Sequence, residues 1–238
     1  MVFSYYGSKS KIWKKYPAPR YKTIIEPFAG AANYALGHHA VADQVILIEK
    51  NPKIVAIWRW LQIASEDDIR RFPITEPGTP IPDVQPPEAK WFLGLMLNQG
   101  SHSPKNFVGG FKGVQKLNWE RVITDVRKIR SWVILEGDYT SAPDMEATWY
   151  IDPPYQGQKL YPFGRDLNYT KLAEWCKSRK GQVIVAENDT ADWLPFQPLC
   201  VQPGQRQGSK LRNEGIWTNE AACEKAAENV LRAVSRAK

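Results

Sequence analysis

Short apolar runs of strand length alternate with longer stretches of helical composition over much of this chain. Residues 22–26 are a β-branched run that ends in Pro27-Phe28-Ala29-Gly30-Ala31-Ala32, and residues 33–42 then have helix-forming composition. That sequence reads as strand, small-residue turn, helix. Residues 45–48 predict a second strand, closed by Glu49. Asn51-Pro52 suits the start of a helix over 53–64, because proline in a first turn gives up an amide hydrogen that has no helical partner anyway. A βαβα alternation of this kind implies a parallel sheet covered on both faces, with ligands at the carboxyl ends of its strands.

Residues 73–87 change to Pro, Gly, Thr and acids, which suit a linker better than a packed element. Helical patterns over 89–97 and 119–129 flank a polar loop, residues 99–112, that carries basic and aromatic side chains. The strand pattern resumes at 132–135 and 148–151, a helix is expected over 168–179, and strands over 182–186, 199–202 and 214–218 precede a terminal helix over 219–236. No internal repeat is visible. The expected organisation is a main α/β domain from residues 1–64 and 131–238, with 65–130 as an inserted, mostly helical subdomain.

Composition narrows the possibilities only a little. At 238 residues the chain can bury a sizeable core as one domain with an insertion. Its 32 Lys+Arg against 25 Asp+Glu favour a polyanionic partner, and ten Trp and ten Tyr add stacking faces that an unstacked nucleic acid can use. Cys176, Cys200 and Cys223 stand far apart without a CxxC pair, so neither a disulfide framework nor a zinc site is expected. The first residues lack the apolar core of a signal peptide and no stretch approaches a membrane span, so a cytoplasmic protein is expected.

The candidate chemistry concentrates where apolar runs end. Asp152-Pro153-Pro154-Tyr155 closes the run Thr148-Trp149-Tyr150-Ile151. Two consecutive prolines fix φ and offer no amide hydrogens, so the backbone leaves the sheet with carbonyls able to accept. A carboxylate, a proline carbonyl and an aromatic face together suit a planar ring bearing an exocyclic amino group, such as a nucleobase. The same four residues also fit an ordinary strand exit, so other segments must decide. Glu49, after the second strand, sits where nucleoside-binding α/β domains place a carboxylate for ribose hydroxyls. Asp138-Tyr139 can meet an adenine amino group and ring face, and the small-residue turn lets backbone amides approach a polar ligand.

In order and spacing these segments resemble the Dam-type adenine-N6 DNA methyltransferases. The resemblance rests on Tyr5-Tyr6-Gly7-Ser8-Lys9, Glu26-Pro27-Phe28-Ala29-Gly30, Ile48-Glu49-Lys50-Asn51-Pro52, Gly137-Asp138-Tyr139 and Asp152-Pro153-Pro154-Tyr155. It covers the main domain, implied to be catalytic, whereas residues 65–130, implied to recognise the target, match only in position and general character. It implies a doubly wound, mostly parallel seven-stranded α/β sheet that binds S-adenosylmethionine. The implied cofactor set is Tyr5, Tyr6, Gly7, Lys9, Pro27, Phe28, Gly30, Glu49, Lys50, Asp138, Tyr139 and Asp152, with Lys9 toward the cofactor's carboxylate, Phe28 and Gly30 beneath its methionine part, and Glu49 on its ribose. The implied catalytic set is Asp152, Pro153, Pro154 and Tyr155. Ser8 stands where a second Gly is common, and Ala32 replaces a later Gly of the turn.

The implied reaction is methyl transfer to the N6 amino group of an adenine flipped out of double-stranded DNA, by a protein expected to act as a monomer. For DNA contact the expectation names Lys105, Lys112, Lys116, Arg121, Lys210, Arg212 and Trp217, with Arg127, Lys128 and Arg130 on the same basic helix as Arg121. No metal is expected: His38 and His39 lie on a predicted helix and His102 in a loop. Ring-carbon methylation of cytosine is disfavoured because the three cysteines follow Trp, Leu and Ala rather than Pro. Two readings remain open beside the first: an RNA base-amino methyltransferase, and a nucleic-acid-binding module that keeps the fold without catalysis. Recognition sequence, any restriction partner and bacterial or phage origin are not legible.

Overall fold

A computed structural model of the chain describes residues 2–73, 75–98, 100–110, 118–157, 163–164, 166–202 and 212–220. Seven strands form one sheet: β1 Thr23–Glu26, β2 Gln44–Glu49, β3 Val133–Glu136, β4 Ala147–Ile151, β5 Gly181–Asn188, β6 Gln197–Gln202 and β7 Arg212–Thr218. Their order is β3-β2-β1-β4-β5-β7-β6. β1 pairs in parallel with β2 and β4, β2 with β3, and β4 with β5, whereas β7 runs antiparallel to both of its neighbours. This is the doubly wound, mostly parallel seven-stranded α/β fold that the resemblance implies. The chain turns to opposite sides after β1 and after β4, which are neighbours, so a crevice opens between their carboxyl ends.

Side-chain alternation builds a core on each face of the sheet. Ile24, Tyr150, Ile184, Ala186 and Ile216 join one cluster, and their immediate neighbours Ile25, Trp149, Ile151, Val183 and Val185 join the other. α1 (Asn33–His38), α2 (Pro52–Ile63), α4 (Pro87–Met96) and α5 (Trp119–Lys128) feed the first cluster, and α6 (Tyr169–Ser178) feeds the second through Leu172, Ala173 and Cys176. β4 is buried along its whole length, as a strand covered on both faces must be. Apolar residues of segment 65–130, among them Ile69, Phe72, Phe92 and Val122, share the first cluster with the sheet.

Local chemistry explains where most helices start. The Asn51 side chain accepts from the Lys53 amide at the head of α2, with Pro52 in its first turn, and Asn118 and Asn168 cap α5 and α6 in the same way. α3 (Glu66–Arg70) is a short helix that hydrophobic periodicity does not announce. A reciprocal Ser65 and Asp68 capping box makes it. β6 begins two residues before the expected strand because Pro198 lies inside it, which an edge strand tolerates at the irregular pairing between Pro198 and Cys200. The expected helix over 33–42 is α1 followed by a 3-10 turn, His39–Val41. From residue 221 onward the expected terminal helix lies outside the described residues. Among the described residues no helix is long and apolar enough to cross a membrane.

Gly181 starts β5 at φ +97°, and a Cβ built there would lie 2.3 Å from the Ala147 carbonyl oxygen across the β4–β5 pair. Gly181→Ala is therefore expected to cost at least about 2 kcal/mol and to lower the melting temperature by roughly 4–8 °C. Thermal unfolding followed by circular dichroism checks this, and an unchanged melting temperature would contradict it.

Candidate active site

A cavity of about 310 Å³ lies at the carboxyl ends of β1, β2 and β4, a size typical of small-molecule sites. The segment Tyr5–Lys9 lines it, with the turn after β1, Glu49–Asn51, Asp138, Tyr139, Tyr150, Asp152 and Pro154. Every residue of the expected cofactor set is in that lining. Of the expected catalytic set, Pro153 and Tyr155 are not in that lining: Pro153 is buried, and the Tyr155 ring centre lies 4.7 Å from the Lys9 Nζ. Five carboxyl groups (Glu26, Glu49, Asp138, Asp152, Asp166), of which burial keeps Glu26 largely protonated at neutral pH, stand against three lysines (Lys9, Lys50, Lys171) and leave the lining a small acidic excess.

The turn after β1 is built for close approach. Gly30 takes φ +47°, and a Cβ there would come to 3.1 Å of the Tyr5 ring. Ala32 holds φ +45° at the head of α1, a left-handed conformation that costs an L residue roughly 1–2 kcal/mol. Three contacts hold it. Glu26 accepts from the Ala35 amide at 2.7 Å, Glu49 accepts from the Gly30 amide at 3.0 Å, and the Trp58 indole donates to the Gly30 carbonyl at 3.0 Å. Glu49 also accepts from the Asn51 amide at 2.8 Å. Phe28 and Tyr139 stack with centroids 5.7 Å apart and planes 24° apart, and Asp138 caps the turn beneath Tyr139 by accepting from the Thr140 amide. Ser8 accepts from Asn33 at 2.8 Å, which ties the amino-terminal segment to α1.

The electrostatic centre is the Lys9 ammonium, only 6% exposed. It donates to both Asp152 oxygens, at 2.8 and 2.9 Å, and to the Gly7 carbonyl at 3.1 Å, with Glu214 Oε1 at 3.6 Å. The resemblance assigns Lys9 to the cofactor's carboxylate, whereas here its protons are directed at Asp152 and Gly7. Burial lowers the affinity of Lys9 for its proton, but Asp152 and Glu214 more than reverse this and hold its pKa above the ordinary value. Asp152 is pushed up to about 6, by burial first and then by Glu214, against the pull of Lys9. Glu26 is pushed up to about 8 by burial, with the Ala35 amide acting in the other direction. Burial also raises Glu49, against its backbone amide donors. At neutral pH Glu26 is thus largely protonated and Asp152 largely ionised.

Two buried carboxylates that the sequence reading did not select complete the site. Glu214 of β7 accepts from the Tyr16 hydroxyl at 2.6 Å and from the Tyr155 hydroxyl. Glu187, at the end of β5, is fully buried and accepts from the Gln156 amide at 3.0 Å and the Trp193 indole at 3.0 Å, which pins the chain just past the Asp-Pro-Pro-Tyr corner. Tyr169 donates to the Pro154 carbonyl at 2.6 Å and fixes the corner from α6.

The residues expected to touch DNA are not gathered in this cavity. Lys105 and Arg121 are exposed at a distance along the chain from its lining, and Arg212 opens β7. Lys112, Lys116 and Lys210 lie outside the described residues, as does the side chain of Arg212. Trp217 points to the opposite sheet face from Glu214, three positions away in β7, and packs against the second core cluster. Other cations of that stretch also have partners within the chain: Arg127, itself exposed, pairs with Glu66, Lys128 with Asp125, and Arg130, just past α5, donates to the Ala64 carbonyl at the end of α2. The polar loop after α4 does reach the site, since the Tyr6 amide donates to the Ser101 carbonyl at 3.0 Å and the Gly100 amide to Ser4 Oγ at 3.1 Å. Among the described residues no group of His, Cys, Asp and Glu is arranged to hold a metal.

No protein-family model matches the chain, and no curated protein sequence matches it. Solved structures to which it is similar include a conserved hypothetical protein from Streptococcus pyogenes, at 9% identity and TM-score 0.35 over 83% of this chain and 86% of that one. Others are yhhF from Escherichia coli, described as a candidate methyltransferase, at 8% identity and TM-score 0.38 over 84% and 76%, and the rRNA methyltransferase aviRa from Streptomyces viridochromogenes, at 15% and 0.35 over 82% and 76%. Likeness of this degree carries no weight on chemistry, for which the sheet order and the cavity are the grounds.

Glu26 supplies a test of the electrostatics. Its folded pKa of about 8 lies above the ordinary carboxyl value of 4.5, so its contribution to stability is full below 4.5 and is lost as pH rises through 8. Glu26→Gln keeps an oxygen for the Ala35 amide and removes the titration. The variant is expected to melt several degrees above the wild type at pH 8 but with little difference at pH 5, and a gap independent of pH would contradict the assignment.

Proposed function

We propose that the protein transfers a methyl group from S-adenosylmethionine to the exocyclic amino group of a nucleobase, and specifically to adenine N6 in duplex DNA. The observation that carries this reading is the placement of a lysine-paired Asp152 in the lining of a cavity that also holds Glu49, the Gly30 turn and the Phe28–Tyr139 stack. The donor set fits the cofactor. Glu49 offers acceptors for hydroxyls, the small acidic excess suits a cation, and the Gly30 backbone stands open where a side chain would press on Tyr5. When bound, the cofactor supplies an electrophilic methyl on a sulfonium.

The rest of the chemistry belongs to the chain. An aromatic amine is a poor nucleophile because its lone pair is delocalised into the ring. Asp152 and the Pro153 carbonyl, accepting the two amino hydrogens, draw that lone pair out of conjugation and aim it. Each Asp152 oxygen uses one acceptor direction on Lys9 and keeps another for the base. Its raised pKa, about 6, also makes Asp152 a better acceptor for the proton the nitrogen releases after transfer. In a duplex the base must leave the stack, and Tyr155 offers a replacement face worth on the order of 1–3 kcal/mol.

Purified protein incubated with tritiated cofactor and unmethylated duplex DNA, with structured RNA in parallel, tests the reading by nucleoside analysis. Label is expected in N6-methyladenine of DNA; label confined to RNA would move the substrate, and none in either would refute the activity. Asp152→Asn is expected to reduce transfer at least about 100-fold while the protein stays folded and still binds DNA. The kcat/KM profile of the wild type should fall as pH drops through about 6, where Asp152 takes up a proton.

A further inference from the structure

Glu214 lies in the middle of β7, opposite Asn188 of β5 and Cys200 of β6, and only 4% of it is exposed. A carboxylate inside a sheet is costly to bury unless several donors meet it. Here one oxygen, Oε1, receives the Tyr16 hydroxyl at 2.6 Å, the Tyr155 hydroxyl, and the Lys9 ammonium at 3.6 Å. Two of those donors are groups of the proposed reaction. Lys9 carries Asp152 on its other side, and the Tyr155 ring is held at both ends, its hydroxyl on Glu214 and its face 4.7 Å from the Lys9 Nζ.

We propose that Glu214 is a positioning residue for methyl transfer: by holding the Lys9 ammonium and the Tyr155 hydroxyl at one oxygen, it presents the Asp152 carboxylate and the Tyr155 ring to the target base in a single arrangement. The proposal rests on the transfer reading above. It predicts a coupling that a merely space-filling acid would not show, because Glu214 and Asp152 compete for the same ammonium. Other groups act on Asp152 as well. Glu26 from β1, Glu187 from β5 and the phenols of Tyr16, Tyr150 and Tyr155 all lie within electrostatic reach of it. Glu26 and Glu187 are held by the Ala35 amide and by the Gln156 amide and Trp193 indole, hydrogen bonds that a substitution at Glu214 leaves in place.

Glu214→Gln keeps the size and an oxygen for the two phenols but removes the charge. In the full-length protein without ligands, the Asp152 carboxyl carbon is followed by NMR through a pH titration in wild type and variant, and the pH dependence of kcat/KM for transfer is measured beside it. The Asp152 midpoint is expected to move to lower pH in the variant, and the acid limb of kcat/KM to move with it. An unmoved midpoint would overturn the proposal. A shifted midpoint in a wild-type protein that transfers nothing would instead refute the transfer reading and leave the Glu214–Lys9–Asp152 coupling standing. Should Glu214→Gln fail to fold, Tyr155→Phe keeps the ring and removes only its tether. It is expected to raise KM for DNA several-fold with a smaller change in kcat, and an unchanged KM would overturn the proposal.

Discussion

The site depends on one buried ammonium placed between two carboxylates. Lys9 is nearly enclosed, and a lone charge at such a depth would be expelled or neutralised. Asp152 and Glu214 keep it protonated, and it in turn keeps Asp152 ionised at neutral pH although burial pushes that carboxyl upward. Removing either carboxylate alters the other through the shared cation. The pairing is less a source of stability than a means of keeping one acceptor charged in a place that would otherwise protonate it.

The fold brings these groups together by ordinary sheet geometry. Lys9 precedes the first strand, Asp152 follows β4, and Glu214 belongs to β7 on the far side of β5, yet all converge above the crevice at the switch between β1 and β4. Alternation along β7 decides which side chain arrives there: Glu214 faces the site, and Trp217 goes to the opposite core. The amino-terminal segment is held by Asn33 of α1 on one side and by the loop after α4 on the other, through Ser4 and Tyr6.

What could be read from the sequence was what is contiguous in it. Strand ends marked by Glu49, by Asp138-Tyr139 and by Asp152-Pro153-Pro154-Tyr155 announce themselves because an apolar run stops at a polar group, and Glu49, Asp138, Tyr139, Asp152 and Pro154 line one cavity. Glu214 gave no such signal, since it sits inside a strand and acquires its partners only when β7 inserts beside β5. Lys9 and Asp152 are each legible as site residues, but their pairing across 143 positions is not, because contact across the sheet is a tertiary fact. The basic stretch over 121–130 looks like a phosphate-binding surface in sequence. Its Arg127, Lys128 and Arg130 also engage Glu66, Asp125 and the end of α2, contacts that charge counting cannot foresee. α3 could have been found from its Ser65 and Asp68 box, a cap signal that does not depend on hydrophobic periodicity.

The central claim is that this crevice seats a nucleoside cofactor with Asp152 charged in its lining. A crystal structure of the protein with S-adenosylhomocysteine tests it most directly. The account predicts ribose hydroxyls on Glu49, the adenine beside the Phe28–Tyr139 pair, and the Lys9–Asp152 contact preserved with the carboxylate facing the sulfur. A ligand bound elsewhere, or an Asp152 turned away from the cavity once it is filled, would contradict it.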